Sequence, residues 1–362
     1  MSKKFRLRTA ERSESGREVL PSMTYQSAVA DVRRPTPNVG AETDYRELIR
    51  LGSLAASSHN TQPWKFTASG GSIRVLPDFS RRCPVVDPDD AHLFKSLGCA
   101  AENIVHAAAA QGLRADVDFD DNDRVVVVQL TADPTCGETA LARAIPLRQC
   151  TKARYDGRAL DSEVLATLEQ AGTGRSVRLI LLTDDDQKRT VTEFVNRGNQ
   201  AQLSDPAWRT ELFSWIRSND RESLGTGDGL SGRTSGQPSA PTWLARLILP
   251  LLVRPKSQMK TDAANIQSSA GVAVFVTKDD TAAAWVEAGR CYERFALQAT
   301  ALDVRNAFIN QPIEVPSVRP DFERWLGLQG ERAQLMIRFG TGPQMPFSMR
   351  RPLDDVIVST EP

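Results

Sequence analysis

The chain reads as an α+β protein, internally duplicated as a pseudo-dimer, with mixed or antiparallel sheets flanked by helices. Three observations predict this. Short alternating apolar segments come in pairs beside long helical ones. A glycine, a glutamate and a chain terminator recur at matching offsets in two long helices, and the whole layout restarts near Ala144. At 362 residues the chain exceeds an average single domain, which fits two packed units or one large fused fold.

The elements follow in order. Residues 1–40 read as an extended arm with a short helix near Tyr25 to Val32, ended by a Pro-rich turn. A helix from about Asp44 to Ala56, with Leu48, Leu51, Leu54 and Ala55 on one face, leads into a polar loop. Strands near Lys65 to Ala68 and Ser72 to Leu76 hinge at Gly70-Gly71. A long helix, Ala91 to Gln111, is closed by Gly112, and a strand pair at Ala115 to Phe119 and Arg124 to Leu130 completes a first half over 41–143.

The second half, 144–362, begins with a basic segment, a helix from Ser162 to Ala171 and a strand from Val177 to Thr183. Helices around Gln187 to Gln202 and Ala207 to Ser218 then lead into a lid or insertion at 218–262. Within it, the Gly/Ser-rich stretch Gly225 to Ser239 is expected to be flexible, and Trp243 to Val253 reads as a surface-packed or lid helix. The core resumes with a strand at Gly271 to Thr277, a helix at Ala282 to Leu302, a strand near Ala307 and a strand at Gln334 to Phe339. In the repeat, Gly98, Glu102 and Gly112 correspond to Gly289, Glu293 and Asp303.

Composition excludes several classes. Lys plus Arg equals Asp plus Glu at 45 each, which argues against a nucleic-acid partner or an acidic membrane surface. The five scattered cysteines show no C-x-x-C, and the three histidines stand at no metal spacing, so reduced thiols in a cytoplasmic protein fit better than zinc or disulfides. Met1 to Pro37 has no apolar core of a signal peptide, and Arg33-Arg34 is followed by Pro35 instead of an apolar run. The run Trp243 to Val253 is about half a membrane span.

Three stretches carry chemistry. In Ser57-Ser58-His59-Asn60-Thr61-Gln62-Pro63-Trp64, amides and hydroxyls can read the edge of a planar heterocycle and Trp64 offers a broad face. The same residues also suit a helix end turning into a strand, with Pro63 as breaker. Arg148-Gln149-Cys150-Thr151-Lys152-Ala153-Arg154 sets three cations beside a hydroxyl, and Arg350-Arg351-Pro352 sets two more on a constrained tail. Such forks suit phosphate, while solvated basic turns are the plainer reading. No Gly-x-Gly-x-x-Gly or P-loop pattern is present.

These residues resemble the nitroreductase superfamily, and most closely its fused, single-site Acg-type branch. The Asn60-Thr61-Gln62-Pro63-Trp64 loop is similar to the family signature, Arg148 to Lys152 to its N-terminal basic motif, and Arg350-Arg351-Pro352 to its C-terminal one. The resemblance implies flavin mononucleotide (FMN) held by Ser57, Ser58, Asn60, Gln62, Arg148, Cys150, Thr151, Lys152, Arg350 and Arg351, with Asn310 and Gln311 near the reactive edge. It implies NADH or NADPH as electron donor and a nitroaromatic, quinone or similar small-molecule acceptor, with no obligatory acid or base. It further implies one flavin per chain in a monomer acting as an intramolecular pseudo-dimer, because Ala171 to Ser176 lacks the Asn, Gln and Trp of the loop. A flavin-sequestering protein with a lid and little turnover is the alternative. Cys150 in place of a common Ser, and Asp303 in place of a common Gly, depart from the family pattern.

Overall fold

The computed structural model describes residues 24–35, 43–236, 238–252 and 254–358. The remainder of the expected arm over 1–40 lies outside the described residues, as do Gln237 and Val253.

The first half runs α1 (Tyr25–Val32), α2 (Tyr45–Gly52), β1 (Trp64–Ser69), β2 (Ser72–Pro77), α3 (Ala91–Ala110), β3 (Leu113–Asp120), β4 (Val125–Ala132) and α4 (Ala140–Ala144). Next come α5 (Ser162–Gly172), β5 (Val177–Leu182), α6 (Asp185–Ser204), α7 (Pro206–Trp215), β6 (Ile216–Arg217), α8 (Asp220–Thr226) and β7 (Leu230–Ser231). The chain continues through α9 (Thr242–Leu252), α10 (Pro255–Gln267), β8 (Gly271–Thr277), α11 (Ala282–Ala301), β9 (Arg305–Phe308), α12 (Gln311–Glu314), α13 (Arg319–Trp325), β10 (Arg332–Gly340) and α14 (Leu353–Val356).

Two four-stranded sheets share one connectivity. The order β1-β2-β4-β3 in the first is repeated as β5-β8-β10-β9 in the second, all neighbours antiparallel. In each, two strands precede the long helix and two follow it. The β1–β2 link is the Gly70-Gly71 hairpin, whereas β5 and β8 are separated by α6 to α10. Alternation decides which faces are wet: Leu113, Ala115, Val117 and Phe119 of β3 pack inward, while Arg114, Asp116 and Asp118 are exposed. Every residue of β8 is buried because helices cover both faces of its sheet.

Helices α3 and α11 cross at the centre, where one apolar core joins both halves. The crossing is isologous. A Cβ on Gly98 would stand 2.0 Å from the Val286 carbonyl oxygen, and a Cβ on Gly289 would stand 1.9 Å from that of Lys95. Each glycine thus meets the residue three before its counterpart, which is the contact a twofold axis produces. Asp303 ends α11 with φ 58°, as Gly112 ends α3 with φ 69°. Aspartate tolerates this left-handed conformation better than most side chains do.

Two expectations need correction. Gly225 to Gly236 is folded, comprising the end of α8, β7 and a 3-10 turn, with Asp228, Ser231 and Thr234 buried. A glycine-rich composition has little apolar surface to bury, but here its backbone and Asp228 are satisfied by polar groups of neighbouring segments. Trp64 also offers no open face: it is fully buried as the first residue of β1, packed against Phe66. Period-two alternation puts positions 64 and 66 on the core side of that strand.

Candidate functional site

The polar loop after α2 is strained. His59, Asn60 and Gln62 all adopt positive φ, at 49°, 55° and 52°. Non-glycine residues in this region carry about 1–3 kcal/mol each and persist only where surroundings over-determine them. Those surroundings are explicit. The Ser57 hydroxyl accepts from Gln62 N at 3.0 Å, and Asn60 Nδ2 donates to the carbonyls of Gly229 and Met349, both at 3.2 Å. Gln62 is fully buried, donating to Gly227 O at 2.9 Å and accepting from Arg351 N at 2.8 Å.

The two distant basic motifs converge on this loop. Arg350 donates to the carbonyls of Ser53, Leu54 and Ala55 just past α2, and to Asn60 Oδ1 at 3.1 Å. Arg148 donates to the same Leu54 carbonyl at 2.7 Å. Arg351 reaches Gln62 O at 3.1 Å, Asp78 at 3.5 Å and Asp355 O at 3.2 Å. Arg148 and Arg350 thus satisfy carbonyls of the turn that follows α2, while Arg351 ties the loop to the tail. The segment after α8 seals the assembly: Gly227 sits at φ 65° against the Arg350 and Arg351 backbone, and Asp228 pairs with Arg81 and Arg217.

Behind the loop lies a buried cationic cluster. Arg33, on the turn after α1, donates to Pro146 O at 2.7 Å and Arg148 O at 3.1 Å, and stacks on Phe347. Arg33, Arg148 and Arg350 share one anion, Glu293 of α11, which lies 2.7 Å from Arg148 and accepts from Ala56 N at 3.3 Å. Burial, with the field of Arg148 next, pulls the Arg350 guanidinium down to about 9. Burial together with Arg350 and Arg148 also holds Arg33 well below its ordinary range. An excess of positive charge held away from water is suited to an anionic group.

A second wall is built from the start of the second half. Cys150 bridges to Asn306 beside β9, and Thr151 N donates to Asn306 O at 2.8 Å. Lys152 follows, exposed. Asn310 accepts from Met336 N at 2.8 Å. Gln311 Nε2 contacts Asn199 and Asp262 at 3.3 Å each, while its Oε1 is buried with no partner. Burial raises the Asp262 carboxyl, against hydrogen bonds from Asn199 and Gln258 and the fields of Arg338 and Lys152. Among the described residues no group of side chains is placed to hold a metal ion.

A polar knot closes this wall. His59 lies 3.3 Å from Ser58 Oγ and 3.9 Å from Cys83 Sγ, and burial, helped by Lys152, brings its imidazole down to about 4. His92 is likewise held neutral by burial, and its Nε2 lies 3.5 Å from Glu314. The Glu314 carboxyl is pushed up to about 7, chiefly by burial and also by Asp87, against a 2.7 Å hydrogen bond from Gln202. The folded-state value lies above the unfolded one. The resulting contribution to stability is therefore full below about pH 4.5 and is lost as pH rises through about 7. Glu314→Gln is expected to flatten this dependence, with urea midpoints drawing level between about pH 5 and pH 8. The shift sets an upper bound of roughly 3 kcal/mol. A Gln variant that keeps the wild-type slope would assign it to other groups.

The pseudo-equivalent position on the other side of the axis is different. Glu102 of α3, the counterpart of Glu293, binds Arg290 at 3.0 Å and Arg294 at 2.6 Å, and Arg294 also donates to Thr173 O. The segment Ala171 to Ser176 closes directly over α11: a Cβ on Gly174 would stand 2.5 Å from Cys291 Sγ and 2.6 Å from the Glu287 carboxylate.

Asn60, Gln62, Arg148, Arg350 and Arg351, chosen from sequence, are thus joined in one network, with Ser57 and Ser58 inside the loop. Cys150, Thr151 and Lys152 stand on the second wall with Asn310 and Gln311. Sequence reasoning missed Arg33, Glu293, Asn199, Asp262, His92 and Glu314. Only Glu293 had a signal, its match with Glu102 in the repeat.

The network belongs to an α+β protein with two sheets of one connectivity, and it joins the loop after α2 to segments that follow α4 and β10. No family model matches the chain. Over 328 residues it is 26% identical to a Mycobacterium tuberculosis protein named putative NAD(P)H nitroreductase Rv3131, covering 88% of this chain and 91% of that one. Over 337 residues it is 23% identical to the putative NAD(P)H nitroreductase acg of the same organism, covering 88% and 97%. Among solved structures, a nitroreductase with bound FMN from Desulfitobacterium hafniense aligns with a TM-score of 0.39 at 13% identity, over 62% of this chain and 99% of that one. The resemblance to the nitroreductase superfamily extends over most of this chain, and the fused Acg-type branch is consistent with it.

Proposed function

We propose that the chain is an FMN-binding oxidoreductase of the NAD(P)H nitroreductase type, with one flavin site shared between its halves. The observation that carries this reading is the convergence of Asn60 and Gln62 with Arg148, Arg350 and Arg351 on one strained loop backed by an excess of buried positive charge. The residues fit the group. The exposed Lys152, with the field of the buried cationic cluster behind the loop, suits its phosphate, and the unpartnered Gln311 Oε1, Asn310 and the Cys150–Thr151 segment suit the polar edge of its ring. In the structure the guanidiniums of Arg350 and Arg351 donate to protein acceptors, so their part is to hold the loop in its binding shape. FMN, when bound, supplies the hydride chemistry between NAD(P)H and a small-molecule acceptor. The protein orients it and keeps His59 neutral.

A specific observation favours the sequestering alternative: Gly227 to Gly229 of the segment between β5 and β8 close on the loop, and Asn199 and Asp262 of the same segment enter the second wall. Purified protein is expected to be yellow, with one FMN per chain, since Thr173 and Gly174 cover the pseudo-equivalent position. Asn60→Ala removes three side-chain hydrogen bonds and should weaken FMN binding about tenfold or more. Arg351→Ala should act in the same direction. Two flavins per chain, or unchanged affinity in both variants, would sink the shared-site reading. Bleaching by NADH or NADPH without air separates turnover from storage.

A further inference from the structure

From the α9 region we infer a peripheral docking surface for anionic lipid, independent of the flavin reading. Helix α9 lies on the protein with Ala245 buried and with Trp243 and Leu247, one turn apart, 71% and 66% exposed. These are the two most exposed large apolar residues of the described chain, and solitary exposed side chains of this size are ordinary whereas a helical stripe is not. The stripe is held firmly at its start. Thr242 Oγ1 donates to Glu222 at 2.6 Å and accepts from Asn219 at 3.2 Å, and Ala240 N donates to Ser218 O at 3.0 Å, so α9 is pinned to α8.

Charge identifies the occupant. The whole chain is balanced, yet between Asp228 and Asp262 it holds Arg233, Arg246, Arg254, Lys256 and Lys260 and not one acidic residue. Arg233 is neutralised by Asp220, at 2.6 Å on both sides of its fork. Lys256 and Lys260, in the first turns of α10, are exposed. An open cleft of about 560 Å³ at the foot of α9 is lined by Asn219, Arg221, Glu222, Pro241, Thr242 and Trp243. Its lining carries one charge of each sign: the exposed Arg221, and Glu222, which accepts from Ser218 N and Thr242.

A tryptophan at one end of an apolar helical stripe, with cations flanking it in sequence and no acid among them, is the pattern of a helix that lies in the headgroup layer. At 11 residues, roughly 16 Å at 1.5 Å per residue, α9 is too short to cross a bilayer, and no helix among the described residues is long and apolar enough to do so.

Vesicle flotation tests this with the full-length, flavin-saturated protein. Binding is expected to vesicles of equal parts phosphatidylglycerol and phosphatidylcholine, weak binding to phosphatidylcholine alone, and release by salt. Lys256→Ala and Lys260→Ala should each weaken partitioning about fivefold. Trp243→Glu with Leu247→Glu should abolish it while leaving FMN occupancy unchanged, since neither residue touches the site. Equal binding to neutral vesicles, flotation that survives the Trp243/Leu247 double variant, or no flotation of a wild type that self-associates through α9 in sedimentation would each overturn the inference. Loss of FMN in the double variant would also overturn it, because α9 would then be a structural element.

Discussion

Gly289→Ala is expected to destabilise the protein by about 3 kcal/mol or more, its added Cβ making the closest approach of any described glycine's. Two terms compete. Alanine in mid-helix is favoured over glycine by about 1 kcal/mol. Against this, the added Cβ would stand 1.9 Å from the Lys95 carbonyl oxygen and 2.7 Å from the carbonyl carbon. These are backbone atoms of a facing helix, with no rotamer to give way, so α3 and α11 must move apart along the core that joins both halves. The packing term wins. Gly98→Ala should behave alike, because its Cβ would meet the Val286 carbonyl oxygen at 2.0 Å. Gly225→Ala in α8 is the control: nothing lies within 4 Å of its Cβ and its φ is not positive, so the helix term should stand alone and stabilise slightly. Urea unfolding midpoints decide it. A Gly289→Ala protein as stable as wild type would mean that the helices do not cross here.

The same glycines show how much was legible in the sequence. Gly98 and Gly289 were visible as a repeated spacing, and the matching glutamates and terminators let the duplication be read before any contact was known. Strands and helices were legible where one face is buried and the other wet, as in β3 and α2. Each half of the loop and tail network also stood out locally, because Asn60, Gln62 and the paired arginines are unusual companions. What was not legible belongs to long-range contacts. Arg33 reads as a solvated basic turn until Pro146 and Phe347 are brought to it. Asn199 and Asp262 lie 63 positions apart on α6 and α10, yet Asn199 Nδ2 donates to Asp262 at 2.8 Å and Gln311 contacts both at 3.3 Å. Composition misled for Gly225 to Gly236, since it weighs apolar burial and is blind to a backbone held by Asn60 and Gln62.

Glu293→Gln tests the buried charge that stands behind the loop, and a loss of roughly 3–5 kcal/mol is expected. The outcome is a contest between two effects. Burial pushes the Glu293 carboxyl up, because a carboxylate away from water is costly, and on that ground a neutral glutamine would do no harm. The arginines decide otherwise. Arg33, Arg148 and Arg350 are buried together, the Arg350 guanidinium at about 9 is still charged at neutral pH, and Glu293 lies 2.7 Å from Arg148. Removing its charge leaves three cations without compensation, while the glutamine oxygen can still accept from Ala56 N. The loss should therefore be electrostatic, with little change in packing. Adding Arg148→Met to Glu293→Gln should recover much of the stability, and a double-mutant cycle on urea unfolding measures the coupling. A Glu293→Gln protein as stable as wild type would show that burial outweighs the pair and that the carboxyl is neutral in the fold. In that case the cluster would carry one positive charge more than the paired arrangement, and its attraction for an anionic group near the loop would be stronger still.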